Sequence, residues 1–568
     1  MGLTRWLLAV TISTLSYLCR CKRKRSLAFT ILVLCIVYLV HQFIFCEDNF
    51  PAHRGFVYQL RDDEKSHPVE YLHSAAKTQF ERLLARQSTT ATDAVIEYKR
   101  RYRRVPPPGF DLWVETAKAH ASLIIDDYDE MMRSLEPFWK VAPKDIVRLI
   151  ERANSTEQTR GYIKKCSITR GDLKDCGAWA GIIKRSLGTA LRRMPDMSFL
   201  VNYLDEPTVL PRYPIVDNSP ADSDAKFSWF PISHTPIWPL VQDACEKTGV
   251  RQIVSTSKHT PTTRKGNPSQ QLEFVSNATQ GTDLCAHPEF RETHGYLAST
   301  VSSLHIYDPV PILSRAVPYP FGDILFPAPS YSWSQFTYSA WRDRSWRRKV
   351  KALYWAGSST GSYTHDETWK HHHRQRLVLL GLGAEADERK TFTYLRHIGG
   401  GGGWIPYTTS KFDRSLYHIV MTKIWACDEP ACTEQNEIFR PPERPEPASE
   451  PYRYKYVFDI DGNSLSGRFY RLLASNSAVL KTTIFKEWHD ERLVPWLHYI
   501  PVSLGLEELP ELMRFLATTD EGLEIGRRVA EAGKIWHANG LREVDRGIYF
   551  YRLLLELAWL QNPERIAG

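Results

Sequence analysis

The most strongly patterned stretch of the chain lies near its start. Ser26 to Cys46, SLAFTILVLCIVYLVHQFIFC, is 21 residues without Asp, Glu, Lys or Arg. As a helix it would run roughly 30 Å, enough to cross the hydrocarbon of a bilayer. Arg20, Lys22, Arg23, Lys24 and Arg25 precede it, and Glu47 and Asp48 follow it. Positive charge stays on the cytoplasmic side. The pattern therefore predicts a single-pass type II anchor over 26–46, a cytoplasmic tail over 1–25 and a lumenal remainder. A cleaved signal peptide is the competing reading. The length, the bulky residues at the end of the run and the lack of a small-x-small site count against it. The earlier apolar run, Trp6 to Cys19, is short for a span and suits the membrane interface instead.

Beyond the anchor, residues 47–105 are polar and Arg-rich, with helical runs such as Tyr71 to Arg86, and read as a stem. Pro106-Pro107-Pro108-Gly109 stops any helix. Residues 106–195 read as mainly helical. From 196 to 335 short apolar runs alternate with Pro-rich loops, as in Phe199–Leu204 and Asp323–Phe326. From Lys349 the rhythm changes to strand, Gly/Ser turn, helix: Val350–Trp355, then Gly357-Ser358-Ser359-Thr360-Gly361, then Trp369–Leu380. Strand-like Tyr454–Ile460, helix-like Arg468–Ser475 and strand-like Ala478–Lys481 follow. Alternating short strands and helices predict α/β layers with a parallel sheet. Gly399–Gly403 and Pro441–Pro451 read as flexible inserts, and no internal repeat is present.

Composition changes this picture little. The chain has 568 residues, 43% hydrophobic and 24% charged, ordinary for a globular protein of several domains. Its net charge of +8 owes much to the cluster before the anchor, so it gives no argument for nucleic-acid binding. Of the ten cysteines, Cys19, Cys21, Cys35 and Cys46 lie in or beside the anchor. The other six, Cys166, Cys176, Cys245, Cys285, Cys427 and Cys432, suit up to three disulfides in an oxidising compartment. Cys166/Cys176 and Cys427/Cys432 suit local pairs. Zinc spacing with His partners is missing. The sequons Asn154-Ser155-Thr156 and Asn277-Ala278-Thr279 fit a lumenal surface.

Three short segments carry candidate chemistry. Gly357-Ser358-Ser359-Thr360 follows a strand, so its backbone N–H groups and hydroxyls can meet a phosphate at the next helix start, although such a loop read alone is more often a plain turn. Asp459-Ile-Asp461-Gly-Asn-Ser-Leu-Ser466-Gly467-Arg468-Phe469 places a planar fork of donors, Arg468, beside a glycine that permits close approach. Asp459 and Asp461 could instead hold a divalent metal on a diphosphate, or sit solvated in a turn. Asn202-Tyr-Leu-Asp205-Glu206-Pro207 puts a carboxylate at a strand end, placed either to take a proton from a hydroxyl or to cap a turn. His371-His372-His373 cannot all face one point on a helix. They suit a solvated or ligand-proximal place better than a metal site.

The segment Tyr454–Leu473, with Ser475–Lys481, Glu487-Trp488 and Pro495–Val502 after it, resembles the most characteristic stretch of glycosyltransferase family 90. Pro106–Trp113, Ile124–Asp129, Pro137–Trp139, Pro195–Met197 and Cys285–Glu289 are similar to its fungal capsule-associated branch, the capsular xylosyltransferase-like proteins. Animal protein O-glucosyltransferases and O-xylosyltransferases are more distant. The resemblance spans about residues 95 to 560.

It implies a GT-B type α/β fold of two Rossmann-like lobes, with an acceptor-side lobe at 196–335, a UDP-sugar-binding lobe at 336–545 and a C-terminal helix at 546–568. It implies a UDP-sugar-dependent, inverting, metal-independent transferase with no cofactor, anchored in the Golgi membrane. The family's Asn-x-x-Asp-x-Pro base falls on Asp205. Its Gly-Ser-Arg-Thr diphosphate loop falls on Gly357, Ser358, Ser359 and Thr360, with Ser359 in place of the Arg. Its Ser-x-Arg-Phe nucleotide segment falls on Ser466, Arg468 and Phe469. The implied donor is UDP-xylose, with UDP-glucose as runner-up, and the implied acceptor is a mannose-containing glycan, with a protein hydroxyl as the alternative. A non-catalytic lumenal scaffold and a UDP-sugar hydrolase are the rival classes.

Overall fold

Two five-stranded sheets organise the chain. In the computed structural model the described residues are 57–58, 66–154, 159, 161–211, 227, 229–247, 272–383, 390–398 and 403–565. The expected tail and the expected anchor Ser26–Cys46 lie outside them. No helix among the described residues is long and apolar enough to cross a membrane.

The first sheet contains β1 (Ile163–Thr169), β2 (Asp172–Lys174), β3 (Met197–Asn202), β4 (Ile312–Ser314) and β5 (Ile324–Leu325), in the order β2-β1-β3-β4-β5. β1 pairs antiparallel with β2 and β3, while β3, β4 and β5 run parallel. This lobe is therefore mixed rather than a regular parallel Rossmann sheet. Residues 106–195 are mainly helical, as expected, with helices Phe110–Ala119, Asp129–Trp139, Pro143–Asn154 and Ala180–Leu187; the β1–β2 hairpin between them was not expected. Ile163, Cys166 and Ile168 turn inward while their neighbours are half-exposed, and β-branched residues suit that pleat.

The second sheet is wholly parallel: β6 (Val350–Ser358), β7 (Tyr417–Lys423), β8 (Tyr454–Ile460), β9 (Ala478–Thr482) and β10 (Ile500–Pro501), in the order β7-β6-β8-β9-β10. All seven residues of β8 are buried, as expected for a central parallel strand covered on both faces. Its chain order is that of a doubly wound sheet whose topological switch lies between β6 and β8. In such sheets ligands bind outside the carboxyl ends of the strands at that point.

The helices change one expected boundary. Residues 66–105, expected as a stem, fold into α1 (Pro68–Ala85) and α2 (Ala91–Tyr102) against the body of the protein. On α1, His73 Nδ1 lies 2.8 Å from the Trp496 carbonyl, and Phe80 meets Trp536 edge-on at 4.9 Å. The apolar face that these helices present removes them from solvent, which a stem would not do. The helix expected at 546–568 is present as Glu543–Gln561, and it is embedded in the first half of the chain. Its Arg552 is enclosed by the rings of Tyr98, Phe110 and Trp113 at 4.3–5.0 Å, and Gln561 bonds both the N–H and the carbonyl of Ser198 on β3.

Three disulfides are present among the described residues: Cys166–Cys176, Cys245–Cys285 and Cys427–Cys432. The Pro441–Pro451 segment, expected as a flexible insert, is tied to the sheet. Its Glu446 accepts hydrogen bonds from Tyr354 Oη and His418 Nε2, both at 2.7 Å.

Candidate active site

The loops leaving β6 and β8 meet at the switch point. Gly361 N–H donates to Asn463 Oδ1 at 3.0 Å. Gly361 holds a φ of +112°, and a Cβ there would lie 2.8 Å from the Gly462 carbonyl oxygen, so only glycine lets the loops touch. Gly467 is similarly closed, with Phe336 2.6 Å from where its Cβ would be.

Of the expected diphosphate loop, Gly357, Ser358 and Thr360 are half-buried at the carboxyl end of β6, and the Ser358 and Thr360 hydroxyls lie 3.1 Å apart. Ser359 is different. It is buried, and its hydroxyl accepts from Trp425 N–H at 2.7 Å and donates to Trp425 O at 3.0 Å. The structure commits Ser359 to holding the segment after β7.

Two arginines converge on this loop. Arg374 follows His373, the first residue of helix His373–Leu382. It donates from Nε to Asp461 O at 2.6 Å, and from Nη1 to Ser358 O at 2.9 Å and Thr360 Oγ1 at 2.7 Å, so it ties both loops together. Arg468 donates from Nη1 to the Ala356 carbonyl at 2.5 Å. Both guanidinium groups lie 5.9 Å from the Trp355 ring. Burial lowers the pKa of each, and in Arg374 the neighbouring Arg468 cation adds to it. Among the described residues neither makes a salt bridge. Arg468 also borders a cavity of about 190 Å³ between the sheet and the Pro441–Pro451 segment, walled by Tyr354, Phe458 and Arg471.

The other residues expected at the nucleotide face inward. Ser466 Oγ donates to Asp459 Oδ1 at 2.5 Å. Phe469 is fully buried under the Lys481 ammonium, 4.2 Å from its ring. Both shape the turn that presents Arg468. Asp459 and Asp461 are spoken for: Lys481 Nζ lies 3.1 Å from Asp459, and the Ile484 N–H donates to Asp461 at 2.9 Å. Among the described residues no group of three or more His, Cys, Asp or Glu is arranged to hold a metal ion.

The histidine triple divides. His371 is exposed, but His372 and His373 are buried rather than solvated. His373 Nδ1 accepts from Gly295 N–H at 3.1 Å and its Nε2 lies 3.0 Å from Asp461 O, which makes it the neutral Nε2–H tautomer. His294 stacks on its ring at 3.9 Å. Burial lowers the pKa of both.

Asp205 lies just past the carboxyl end of β3, the central strand of the first sheet. Its side chain is 56% exposed and pairs with Arg315 Nη2 at 2.6 Å. Its neighbour Glu206 is buried, and burial together with the Asp205 carboxylate pushes its pKa up to about 8. The segment 294–296 joins the two halves of the site. His294 stacks on His373, and burial first, then the nearby Glu206 and Asp323 carboxyls, raise the pKa of the Tyr296 hydroxyl. Sequence reasoning missed Arg374, Arg315 and this segment. Only the histidines next to Arg374 gave a signal there.

Residues 298–565 match the family model described as Glycosyl transferase family 90. That region contains β4 to β10, the loop 357–360, Arg374 and Arg468; Asp205 precedes it. The chain is also similar to Protein O-glucosyltransferase 1 of Bos taurus and of Homo sapiens, each 34% identical over 107 residues, which is 18% of this chain and 26% of the relative. A further relative is the O-glucosyltransferase rumi homolog of Anopheles gambiae, 30% identical over 189 residues, 32% of this chain and 44% of the relative. The chain thus spans about a quarter of the length of the O-glucosyltransferases first named. The chain thus contains a glycosyltransferase family 90 region, distantly similar to animal O-glucosyltransferases, that includes the loops after β6 and β8.

Proposed function

We propose that the chain is an inverting glycosyltransferase that binds the diphosphate of a UDP-sugar between the 357–360 loop and Arg468. The observation that carries this reading is the Arg374–Arg468 pair. Two neighbouring guanidinium groups, Arg374 buried and Arg468 half-buried, with no salt bridge to either among the described residues, form a site that an anion completes. It lies where a doubly wound sheet binds its ligands. The fold class proposed is GT-B, with the second sheet as donor lobe.

In the reaction, an acceptor hydroxyl attacks the anomeric carbon from the face opposite UDP. Its proton passes to an oxygen of Asp205 as the new C–O bond forms. The bond from the anomeric carbon to the diphosphate oxygen breaks, and Arg468 stabilises the charge that leaves with UDP. An α-linked donor gives a β-linked product. The donor proposed is UDP-xylose and the acceptor a mannose-containing glycan. The printed names of the relatives favour a second reading, glucose transfer to a protein hydroxyl. No metal is required in this scheme, because arginines take the place of a cation at the leaving group. The proposed location is the Golgi membrane with the catalytic part lumenal, supported by three disulfides in the described residues.

The test is to incubate the purified full chain with UDP-xylose or UDP-glucose, with and without EDTA, and with methyl α-mannoside or a serine-containing peptide. The reading expects β-linked product in EDTA. Free sugar released at the same rate with and without acceptor would make the chain a hydrolase. Activity restored only by manganese would return Asp459 and Asp461 to the metal reading.

A further inference from the structure

We infer that Arg315 is a positioning residue that fixes the orientation of the Asp205 carboxylate for proton transfer. This rests on the transferase reading above. An aspartate just past a strand end, 56% exposed, would ordinarily sample several rotamers in water. Arg315 removes that freedom. It follows β4, the parallel neighbour of β3, so the two strands deliver their ends side by side. Its single nitrogen Nη2 donates both to the Leu204 carbonyl at 2.7 Å and to Asp205 Oδ1 at 2.6 Å. The backbone before the aspartate and one oxygen of its carboxylate are thereby held to the same atom. Oδ2 is left as the open acceptor on the solvent side.

Arg315 is itself held. Its side chain is 6% exposed and lies over the Trp179 ring at 5.2 Å. Trp179 stacks on Tyr203 with ring centres 3.9 Å apart. The Tyr203 hydroxyl accepts from Trp179 N–H at 3.1 Å and donates to the carbonyl of Cys176, whose sulfur is bonded to Cys166 on β1. A packed column therefore runs from a disulfide to the carboxylate. Glu206 does not draw Arg315 away, because its raised pKa keeps it protonated near neutrality. Removing Arg315 leaves no charge orphaned in the interior, since Asp205 faces water.

The test uses the full chain carrying Arg315→Met, Arg315→Lys, Asp205→Asn or the Asp205→Asn/Arg315→Met pair. Transfer is read with UDP-xylose and UDP-glucose onto methyl α-mannoside, alongside melting temperature and UDP affinity. Arg315→Met should lower kcat by about 10²-fold, the loss typical of a misplaced catalytic group, with KM for the UDP-sugar and UDP affinity unchanged. Arg315→Lys should recover most of it. In the Asp205→Asn background, Arg315→Met should add no further loss, because a residue that acts through Asp205 has nothing left to position. Unchanged kcat in Arg315→Met, or the same loss repeated on top of Asp205→Asn, overturns the inference while leaving the transferase reading intact. A wild-type chain that binds UDP but transfers nothing overturns both.

Discussion

Ser359 and Trp425 are joined by a reciprocal pair of hydrogen bonds: the serine hydroxyl accepts from the tryptophan N–H and donates to the same residue's carbonyl. The position that aligns with an arginine in the family's diphosphate loop thus serves here as a clip between the loop after β6 and the segment after β7. In the proposed transferase it is Arg468, with Arg374 behind it, that meets the nucleotide's charge.

The clip predicts the outcome of Ser359→Ala. Losing the hydroxyl leaves a backbone N–H and carbonyl without their partner, so stability should fall by roughly 1–3 kcal/mol. UDP affinity measured well below the new melting temperature should stay close to that of the parent. A large loss of UDP affinity with no change in melting temperature would return Ser359 to direct nucleotide contact.

Arg468→Ala should weaken UDP binding. A hydrogen bond to a charged partner contributes roughly 1.5–3 kcal/mol, so an affinity loss of about ten- to a hundredfold is expected by titration calorimetry. The lost bond to the Ala356 carbonyl will lower the melting temperature as well, so affinity must be compared on folded protein. Unchanged affinity would place the diphosphate elsewhere.

Asp205→Asn keeps the shape and the contact to Arg315 but removes the proton acceptor. Turnover should drop about 10²–10⁴-fold, with UDP affinity and melting temperature nearly unchanged. A stable variant with normal turnover would dismiss Asp205 as the base and make Glu206 the next carboxyl to test.

Glu206 carries a pH signature. Its folded-state pKa, about 8, lies above its ordinary value of 4.5. Stability from this group is fully present below pH 4.5 and is lost as pH rises through 8, because the unfolded chain releases the proton first. Glu206→Gln should therefore flatten the fall of stability between those values, by up to about 1.4 kcal/mol per pH unit. Parallel wild-type and variant curves in urea melts across that range would show that Glu206 is ionised in the folded protein.

Much of the second sheet and its loops could be read from the chain itself. Tyr454–Ile460 alternates no polar face, and its strand was expected over the same residues that form β8. The Gly/Ser turn after Trp355 and the Gly467-Arg468 pair mark the two loops that meet. Those signals are local, because turn chemistry and strand burial act over a few residues. They also fixed Asp205 as a strand-end carboxylate and selected six cysteines that do pair.

Tertiary structure decided the rest. It showed that Ser359 and Ser466 spend their hydroxyls on protein partners and that Phe469 is core. It folded the expected stem onto the body and sent the last long helix back to the first sheet. It also brought Arg315 to Asp205, 110 residues away in sequence, and set Arg374 beside Arg468. The physical reason is common to all of these. Which hydroxyl is free, which carboxylate is paired and which cation lacks a counter-ion depend on groups from distant strands meeting in space. Neither periodicity nor residue type records that meeting; the order of strands in the two sheets does.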